Sequence, residues 1–443
     1  MKQFALLLTL LLFPPLTALA EDDLSREEKV RLDKKRVEAE GFWLYNDLDQ
    51  AYEVARETGK PILVVLRCLP CEECVKLDDE LVDNDPAIRP LLEQFVCVRV
   101  VGTNGLDLNV FQYDTDQSFA VFMLNADKTI YGRFGTRSHR TEWLGDVSLT
   151  GMANALRGAL ELHKDYPANA SALAGKTGRP LEKASPEKYP TLAGKFTDSL
   201  NYEGDVVKSC IHCHQIGEAR REFYWNRGEP IPEKLFYSYP HPKSIGLILD
   251  PNQRATVKEV KTDSIASQSG LTVGDEILTM QQQPLLSMAD VQWVLHNTPA
   301  TATEIPMRVR RAGKVTDVSL ALPDRWRQND DISWRVSSWT LCRIATGGMR
   351  LETLTDQERK EKGISNPMAL RVRSAGRYGP HGAARRAGFR VDDIVIAFDG
   401  QDDLLRESDV FSYVNHNLRP GKSIPIKIMR NGKTRELSLK IQK

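Results

Sequence analysis

The chain lacks any surplus of charge. Its 443 residues carry 60 lysines and arginines against 60 aspartates and glutamates, which gives a formal net charge of zero. Nucleic-acid-binding domains are expected to present a basic footprint, so we expect no nucleic acid among the partners. After the N-terminus, the chain has no apolar run that approaches the length of roughly 20 residues that a membrane-spanning helix needs. The sequence therefore predicts no membrane span in the mature chain.

Several hydrolase motifs are missing as well. The chain holds no Gly-x-Ser-x-Gly and no His-Glu-x-x-His, so neither the nucleophile turn of a serine hydrolase nor the histidine pair of a zinc protease is available. Its eight histidines form no order that would support a Ser-His-Asp triad. We therefore expect no protease domain.

The N-terminus is typical of a secretory signal peptide. Lys2 supplies a positive charge, an apolar run follows over residues 4–12, and Ala18-Leu19-Ala20 fits a small-residue cleavage site. No cysteine lies at that junction, so we expect no lipid anchor. The prediction is an exported protein, periplasmic or otherwise extracytoplasmic, whose mature chain starts at Glu21.

Three cysteines follow a predicted buried strand. Residues 62–66 form a continuous apolar run, and directly after them Cys68, Cys71 and Cys74 make two overlapping Cys-x-x-Cys motifs. A thiol at a helix N-terminus is acidified by the backbone amides, which favours redox chemistry. Three thiols in seven residues also suit a soft metal ion, and a structural disulfide is a further alternative. Cys97, inside an apolar strand pattern, is expected to be inert core.

The order of elements around these cysteines resembles the thioredoxin fold. Strand, cysteine turn, helix, strand, hairpin and helix follow one another over residues 41–163. The resemblance implies an α/β domain in which Cys68 attacks and Cys71 resolves, with Cys71 and Cys74 as the alternative pair. Thioredoxins place a cis-proline before the strand that faces the active site, whereas Gln117-Ser118-Phe119 holds no proline.

A second cysteine motif lies in a small helical or irregular segment at residues 201–243. Cys210 and Cys213, with His214 directly after them, have the spacing for covalent attachment of c-type haem, in which His214 would ligate the iron. No methionine lies between residues 215 and 243, and the only other local histidine is His241, which we name as the candidate distal ligand. A disulfide or a zinc site that uses Cys210, Cys213 and His214 remains an alternative to haem c. The aromatic run 223–225 could cover a porphyrin or belong to the core.

The last two hundred residues contain an internal repeat. Residues 264–277 match residues 382–395, and each copy continues into a predicted helix, at 290–297 and 409–417. Paired-strand patterns then follow over 305–322 and 424–441. The second of these turns at Asn-Gly, which is a strong hairpin signal.

Both copies resemble bacterial PDZ domains of the periplasmic protease type, the first more clearly than the second. A PDZ domain adds an extended peptide to a sheet edge and holds its terminal carboxylate with backbone amides. The resemblance thus implies protein partners. One copy, and the second rather than the first, could instead be a packing module that binds nothing. Residues 353–363 are predicted to be an inserted helix in the second copy. The implied peptide-binding residues are Ile245, Gly246 and Leu247 in the first copy and Gly348, Met349 and Arg350 in the second.

The whole chain is similar to a bacterial exported family that joins a thioredoxin-like domain to C-terminal PDZ domains through a Cys-x-x-Cys-His segment. Some members of that family use selenocysteine in the thioredoxin-like site. This resemblance implies a thiol and haem redox protein, a possible thiol–disulfide oxidoreductase with a thiol or electron-transfer partner. The alternative is a non-enzymatic adaptor whose cysteines are structural or bind metal. The predicted boundaries are 1–20 for the signal peptide, 21–40 for a charged and solvated helical lead-in, 41–165 for the thioredoxin-like domain, 166–200 for a linker, 201–243 for the haem-motif segment, 244–325 for the first PDZ domain and 335–443 for the second.

Overall fold

A computed structural model describes residues 24–67, 86–137 and 146–443. The predicted signal peptide and the cysteines at 68, 71 and 74 lie outside these ranges. Among the described residues, no helix is long and apolar enough to cross a membrane.

The first domain is built on a five-stranded sheet. Its strands are β1 (Leu44–Tyr45), β2 (Ile62–Arg67), β3 (Val96–Val100), β4 (Gln117–Leu124) and β5 (Ile130–Arg137). Their order is β1-β3-β2-β4-β5, with β1, β3 and β2 parallel and the last two antiparallel. Every residue of β2 is buried, as its continuous apolar run predicted.

Helices cover both faces of this sheet. They are α1 (Arg26–Glu40), α2 (Leu48–Thr58), α3 (Arg89–Leu92) and α4 (Leu149–Lys164). The expectation that the lead-in helix is fully solvated was wrong for one face of α1. Val37 is buried in the domain core, and Asp33 forms a 2.6 Å ion pair with Arg67 at the end of β2.

The region between the first domain and the repeats holds only short helical pieces until α7. These are α5 (Ala170–Leu173), a 3₁₀ turn at Ala174–Lys176, another at Pro186–Lys188, α6 (Val206–Ser209), α7 (Cys213–Trp225) and α8 (Glu233–Phe236). The predicted linker at 166–200 packs against the rest of the molecule. Lys176 is fully buried there, and its Nζ lies 3.0 Å from Asp290 Oδ1.

The first repeat forms two small sheets. A two-stranded sheet pairs β6 with β7, and a four-stranded sheet has the order β11-β10-β8-β9. A 3₁₀ turn at Pro242–Ile245 leads into this repeat, and another at Trp326–Asn329 follows it. The elements are β6 (Leu247–Leu249), β7 (Val257–Val260), α9 (Ile265–Gln268), β8 (Glu276–Met280), β9 (Gln283–Pro284), α10 (Met288–Asn297), β10 (Thr303–Arg311) and β11 (Lys314–Leu322).

The second repeat forms one antiparallel sheet of order β12-β13-β14-β15-β16. The inserted helix lies within the predicted range 353–363. The elements are α11 (Ser338–Thr346), β12 (Met349–Thr353), α12 (Asp356–Glu361), β13 (Leu370–Ala375), a 3₁₀ turn at Gly379–Gly382, α13 (Ala383–Arg386), β14 (Ile394–Phe398), α14 (Glu407–Asn417), β15 (Ser423–Arg430) and β16 (Lys433–Lys440).

Helix α7 joins two of the hydrophobic cores. Ile216 and Ala219 pack into the core of the first domain, while Trp225 is fully buried in the core of the second repeat. The aromatic run that begins at Phe223 therefore includes a core residue of the second repeat.

Candidate functional site

The carboxyl end of the parallel strands is the first candidate site. Arg67 is the last residue of β2, so the three cysteines of the overlapping motifs follow it in the chain, outside the described ranges. In the parallel register Leu66 lies opposite Val100. The residues just after β3 therefore lie beside the end of β2.

The Cys-x-x-Cys-His segment is anchored at this same end of the sheet. The backbone amide of Thr103 donates to the carbonyl of Ile211 at 3.1 Å, and the Ile211 amide donates to Asn104 Oδ1 at 2.8 Å. Asn104 Nδ2 also donates to the carbonyl of Ser209 at 2.9 Å. The fold thus brings the second cysteine motif, at residues 210–214, to the end of the sheet at which β2 ends.

Cys210 is enclosed at this edge. It is 5% exposed, and its Sγ lies 3.9 Å from the carbonyl oxygen of Val101. A Cβ atom added to Gly102 would stand 3.1 Å from both that sulfur and Leu200 Cδ2. Burial, with a smaller contribution from Cys213, raises the pKa of the Cys210 thiol to about 12, so the thiolate is scarcely populated near neutral pH.

This environment does not fit haem attachment as it stands. A thioether bond needs the Cys210 sulfur at the rim of a porphyrin, but Gly102 and Leu200 fill the space around the sulfur. The backbone is also extended at Cys210 (φ −78°, ψ 128°) and at His212 (φ −78°, ψ 149°). Attachment at Cys210 would therefore need the residues that enclose its sulfur to move.

The other residues of the motif are more accessible. Cys213 is half-buried and is the first residue of α7. His214 Nδ1 lies 3.1 Å from Glu218 Oε1 one turn along the helix, and its ring stacks on that of His212 with centroids 5.9 Å apart. Within the described ranges, no three histidine, cysteine, aspartate or glutamate side chains converge to hold a metal. The three predicted zinc ligands therefore do not form a site in this arrangement.

His241 lies apart from this motif. Its Nε2 is 3.4 Å from Asp146 Oδ2, two residues before the Ser148 cap of α4. That helix packs on the face of the sheet opposite to the one that α7 covers. The structure therefore does not bring His241 to the iron-binding position next to His214.

A buried ionic cluster occupies the loop where thioredoxins carry their cis-proline. Arg335 Nη1 contacts Asp114 Oδ1 at 2.6 Å and Asp116 Oδ2 at 3.1 Å. Ser337 donates its amide to Asp116 Oδ1 at 2.8 Å and receives a 2.6 Å hydrogen bond from Arg221 of α7. Burial alone would raise the pKa of Asp116, but the two guanidinium groups hold it below its usual value.

Sequence reasoning missed this cluster. Asp114 and Arg335 stand 221 positions apart, and no local pattern marks either residue. We name these side chains the Arg335 cluster: Asp114, Asp116, Arg221, Arg335 and Ser337.

The peptide-binding loop of the first repeat is closely packed. Ile245 and Leu247 are buried, and Gly246 has a φ of +79°. A Cβ there would come within 2.1 Å of Ser264 Cβ, so only glycine fits. The loop therefore has glycine at the position that the PDZ resemblance requires, but the neighbouring Ile245 and Leu247 are buried.

The helix of the first repeat is covered by the first domain. Every residue of α10 from Met288 to His296 is buried, because β5 packs against this helix. Ser287 Oγ donates to the carbonyl of Arg133 at 2.6 Å, and the Arg133 guanidinium lies 3.7 Å from the centre of the Trp293 ring. These contacts favour the packing-module alternative for the first repeat.

The corresponding loop of the second repeat leads into an edge strand. Gly348 has a φ of +91°, and a Cβ there would come within 1.8 Å of the His381 carbonyl oxygen. Met349 is buried and starts β12, which lies at the edge of its sheet, and Arg350 follows it. A peptide that adds to this sheet would pair with β12.

One backbone amide of β12 donates to a side chain of the neighbouring helix α14. The amide of Leu351 donates to Glu407 Oε1 at 2.6 Å, and Arg350 Nη2 lies 3.5 Å from Glu407 Oε2. Glu407 is 4% exposed, and burial raises its pKa to about 7 despite the nearby arginine. The sequence analysis did not select Glu407, although its place at the start of α14 could have marked it.

Comparison with known proteins identifies two of these domains. A thioredoxin-like family matches residues 43–126, and the PDZ domain family matches residues 371–441, within the second repeat. The chain therefore contains a thioredoxin-like domain and a PDZ domain. The sequence had favoured the first repeat as the clearer PDZ copy, whereas this match falls on the second.

Its curated relatives are named as periplasmic proteases. One, a "probable periplasmic serine endoprotease DegP-like" of Pseudomonas savastanoi pv. phaseolicola, is 24% identical over 44% of this chain and 38% of its own length. Another, a "probable periplasmic serine protease do/HhoA-like" of Haemophilus influenzae, is 26% identical over 46% of this chain and 38% of its own length. The chain thus spans less than half the length of these relatives.

Two solved structures show partial similarity. The serine endoprotease from Yersinia pestis is 28% identical, with 17% of this chain and 27% of that chain covered and a TM-score of 0.16. The HtrA-type protease AlgW with decapeptide is 20% identical, with 30% and 38% covered and a TM-score of 0.20. Taken together, the comparisons place a thioredoxin-like domain and a PDZ domain in one chain that is similar in part to proteins named as DegP-like and do/HhoA-like periplasmic serine proteases.

Proposed function

We propose that this protein is an exported thiol–disulfide exchange protein that captures polypeptide segments through its PDZ domain. Export is supported by the signal-peptide pattern and by relatives that are named periplasmic. Thiol chemistry is supported by the thioredoxin-like domain and by the cysteines that follow β2 in the chain. Peptide capture is supported by the PDZ match and by the edge strand β12.

In the capture step, a partner segment adds to β12. Its terminal carboxylate approaches the amides after Gly347 and Gly348, where glycine leaves room for close contact. A backbone carbonyl of the partner then replaces Glu407 as the acceptor for the Leu351 amide. Glu407 must therefore turn away when a peptide binds.

In the exchange step, electrons pass from the chain to a partner disulfide. The Cys68 thiolate attacks one partner sulfur, the partner's S–S bond breaks, and a mixed disulfide forms while the other partner sulfur leaves as a thiolate. The Cys71 thiolate then attacks Cys68, which closes a Cys68–Cys71 disulfide and releases the second partner thiol. Two electrons have moved to the partner, and Cys71 with Cys74 is the alternative pair.

The observation that carries this proposal is the Arg335 cluster. It ties the loop beside the thioredoxin-like sheet edge to the segment that leads into the PDZ domain. Because these charges are buried and mutually paired, they hold the loop before β4 and the segment before α11 in one arrangement. In this arrangement the PDZ domain would deliver a bound substrate to the cysteines.

A disulfide-exchange assay tests this function. The mature protein is incubated with dithiothreitol and a quenched fluorescent disulfide, beside a Cys68→Ser/Cys71→Ser/Cys74→Ser variant and a Cys342→Ala control, whose thiol is buried in the second repeat. We expect reporter reduction above the dithiothreitol background for the wild type and the control, and background only for the triple variant. Equal rates in all three would rule out exchange at these cysteines.

Covalent haem at Cys210 and Cys213 stays a prediction from the sequence. It would require Leu200 and Gly102 to move away from the Cys210 sulfur. A haem stain after denaturing electrophoresis, on protein exported from a host with cytochrome c maturation, decides the matter. Stain that vanishes in Cys210→Ala/Cys213→Ala would show attachment, and an unstained wild type beside a stained cytochrome would exclude it.

The second candidate function is a non-enzymatic adaptor. It is favoured by the covered docking loop, because the Arg335 cluster and α7 occupy the surface on which a thioredoxin substrate would lie. In that case the PDZ domain would bind peptides equally well with and without the three cysteines. Retained peptide binding together with absent reporter reduction would select the adaptor.

A further inference from the structure

The PDZ domain carries an open cleft that the peptide-binding strand does not use. The cleft has a volume of about 660 Å³ and is formed by the end of β13, by α13 and by the loop before β14. Its walls carry three arginines, and its apolar part is Phe389 with Val391. The lining residues are Ser374, Ala375, Arg377, Arg385, Gly388, Phe389, Arg390 and Val391.

The three arginines have no counter-charge. Arg377, Arg385 and Arg390 are exposed, and none of them forms an ion pair with any residue of the described ranges. The nearest buried carboxylate, Asp393, is already held by Arg430 through contacts of 2.5 and 2.6 Å. Three like charges around one concavity repel each other, and an anion placed between them would relieve that repulsion.

The first repeat shows that the fold does not require these arginines. In the internal alignment, Arg385 corresponds to Ser267 and Arg390 corresponds to Thr272. The structural arginine, by contrast, is present in both copies: Arg311 pairs with Asp275 as Arg430 pairs with Asp393. The fold that the two copies share therefore does not need Arg385 or Arg390.

We propose that this cleft binds an acidic segment of a partner protein, at a place separate from β12. Guanidinium groups pair with carboxylates through two parallel hydrogen bonds, so adjacent Glu or Asp side chains suit the arrangement. The concave shape and the apolar floor favour a polypeptide over a flat anionic membrane. Val391, which is 53% exposed, adds apolar contact for the methylene groups of such a segment.

Binding of a capped acidic peptide tests this proposal. The probe is fluorescein-labelled hexaglutamate with an acetylated N-terminus and an amidated C-terminus, so it lacks the terminal carboxylate that a PDZ loop recognises. We expect saturable binding by the mature full-length protein, weaker at high salt because exposed charges are screened. Arg385→Ser/Arg390→Thr is expected to weaken binding at least tenfold, whereas a hexaglutamine probe is expected not to bind.

The variant has a built-in structural control. Because the first repeat folds with serine and threonine at these positions, Arg385→Ser/Arg390→Thr should keep the wild-type melting temperature. The matched charge control is Lys258→Ser/Lys314→Thr, which removes two exposed lysines from the first repeat and should leave binding unchanged.

Several results would overturn the proposal. These are an absence of saturable binding by the wild type, equal binding by the arginine variant, or equal loss in the lysine control. Co-sedimentation with phosphatidylglycerol vesicles that depends on the two arginines, without binding of hexaglutamate, would also overturn it in favour of a membrane surface. Because the capped probe lacks a terminal carboxylate, failure here leaves the proposed capture of terminal carboxylates untouched.

Discussion

At the scale of single residues, Glu407 contacts the edge strand to which we propose that a peptide adds. Its carboxylate accepts the Leu351 amide and faces Arg350 across 3.5 Å. Burial raises the pKa of Glu407, and Asp331, in the segment before α11, raises it to a smaller extent. The free PDZ domain therefore keeps an internal acceptor where a peptide carbonyl would bind.

The raised pKa of Glu407 makes the protein less stable as the pH rises. The folded pKa of Glu407, about 7, lies above its ordinary value of 4.5, so the folded state binds its proton more tightly than the unfolded state. The resulting stabilisation is complete below pH 4.5 and is lost as the pH rises through 7.

We expect Glu407→Gln to remove this loss, because the amide keeps an acceptor oxygen for Leu351 and cannot ionise. Relative to wild type, the free energy of unfolding of the variant should gain roughly 3 kcal/mol between pH 4.5 and pH 8, since 1 pKa unit is worth about 1.4 kcal/mol. Urea unfolding at several pH values measures the difference. A difference that does not change with pH would refute the raised pKa.

At the scale of elements, α7 is a core helix of two domains. Its first turns pack Ile216 and Ala219 into the thioredoxin-like core. At its other end, Trp225 donates its indole N–H to the Gln442 carbonyl at 3.0 Å inside the second repeat. The aromatic run beginning at Phe223 thus contributes to packing, and the helix fixes the position of the cysteine motif at its N-terminus.

Truncation of this helix should therefore be costly. We expect Trp225→Ala to destabilise the protein by about 3–5 kcal/mol, as large-to-small changes at buried aromatic positions do. Trp339→Ala is the matched control, because Trp339 is 52% exposed on α11 and should change stability by no more than about 0.5 kcal/mol. Equal shifts of the melting temperature in the two variants would contradict the bridging role of α7.

The sequence predicted those elements whose signals are local. The apolar run at 62–66 predicted β2, which is Ile62–Arg67, and the helix expected at 409–417 lies within α14, Glu407–Asn417. The repeat was visible because both copies keep the same spacing of glycine and aspartate. Burial of Lys176 against Asp290 was not predictable, because it depends on how the predicted linker packs against α10.

The candidate sites, too, were predictable only where their signals are local in the sequence. Gly246 and Gly348 have positive φ values, which suits glycine in both loops, while their part in peptide binding stays a prediction. The enclosure of Cys210 was not predictable from its motif, because Gly102 and Leu200 come from distant parts of the chain.

At the scale of the whole molecule, the Arg335 cluster links the thioredoxin-like domain, α7 and the entry to the PDZ domain. Its charges are almost fully buried, so the loss of one partner leaves the others unpaired in a low-dielectric interior. Breaking a buried pair in this way costs about 3–5 kcal/mol. The arrangement of the domains should depend on this one arginine.

We expect Arg335→Met to lower the free energy of unfolding by about 3–5 kcal/mol. It should also make the segment before α11 more sensitive to limited proteolysis. The combined variant Arg335→Met/Asp114→Asn should recover part of the loss, because Asp114 is then neutral and Asp116 keeps Arg221 as its counter-charge. Thermal unfolding and small-angle scattering follow stability and shape. If the double variant were less stable than the single one, charge burial would not be the cause.

The most direct test of the central claim traps the mixed disulfide. A Cys71→Ser/Cys74→Ser variant keeps Cys68, and it is offered a disulfide-containing peptide with either a free or an amidated C-terminus. We predict a covalent adduct at Cys68, detected by mass spectrometry, that forms several-fold faster with the free carboxylate and is absent in Cys68→Ser/Cys71→Ser/Cys74→Ser. No adduct with either peptide would contradict thiol exchange, and equal rates with both would contradict delivery by the PDZ domain.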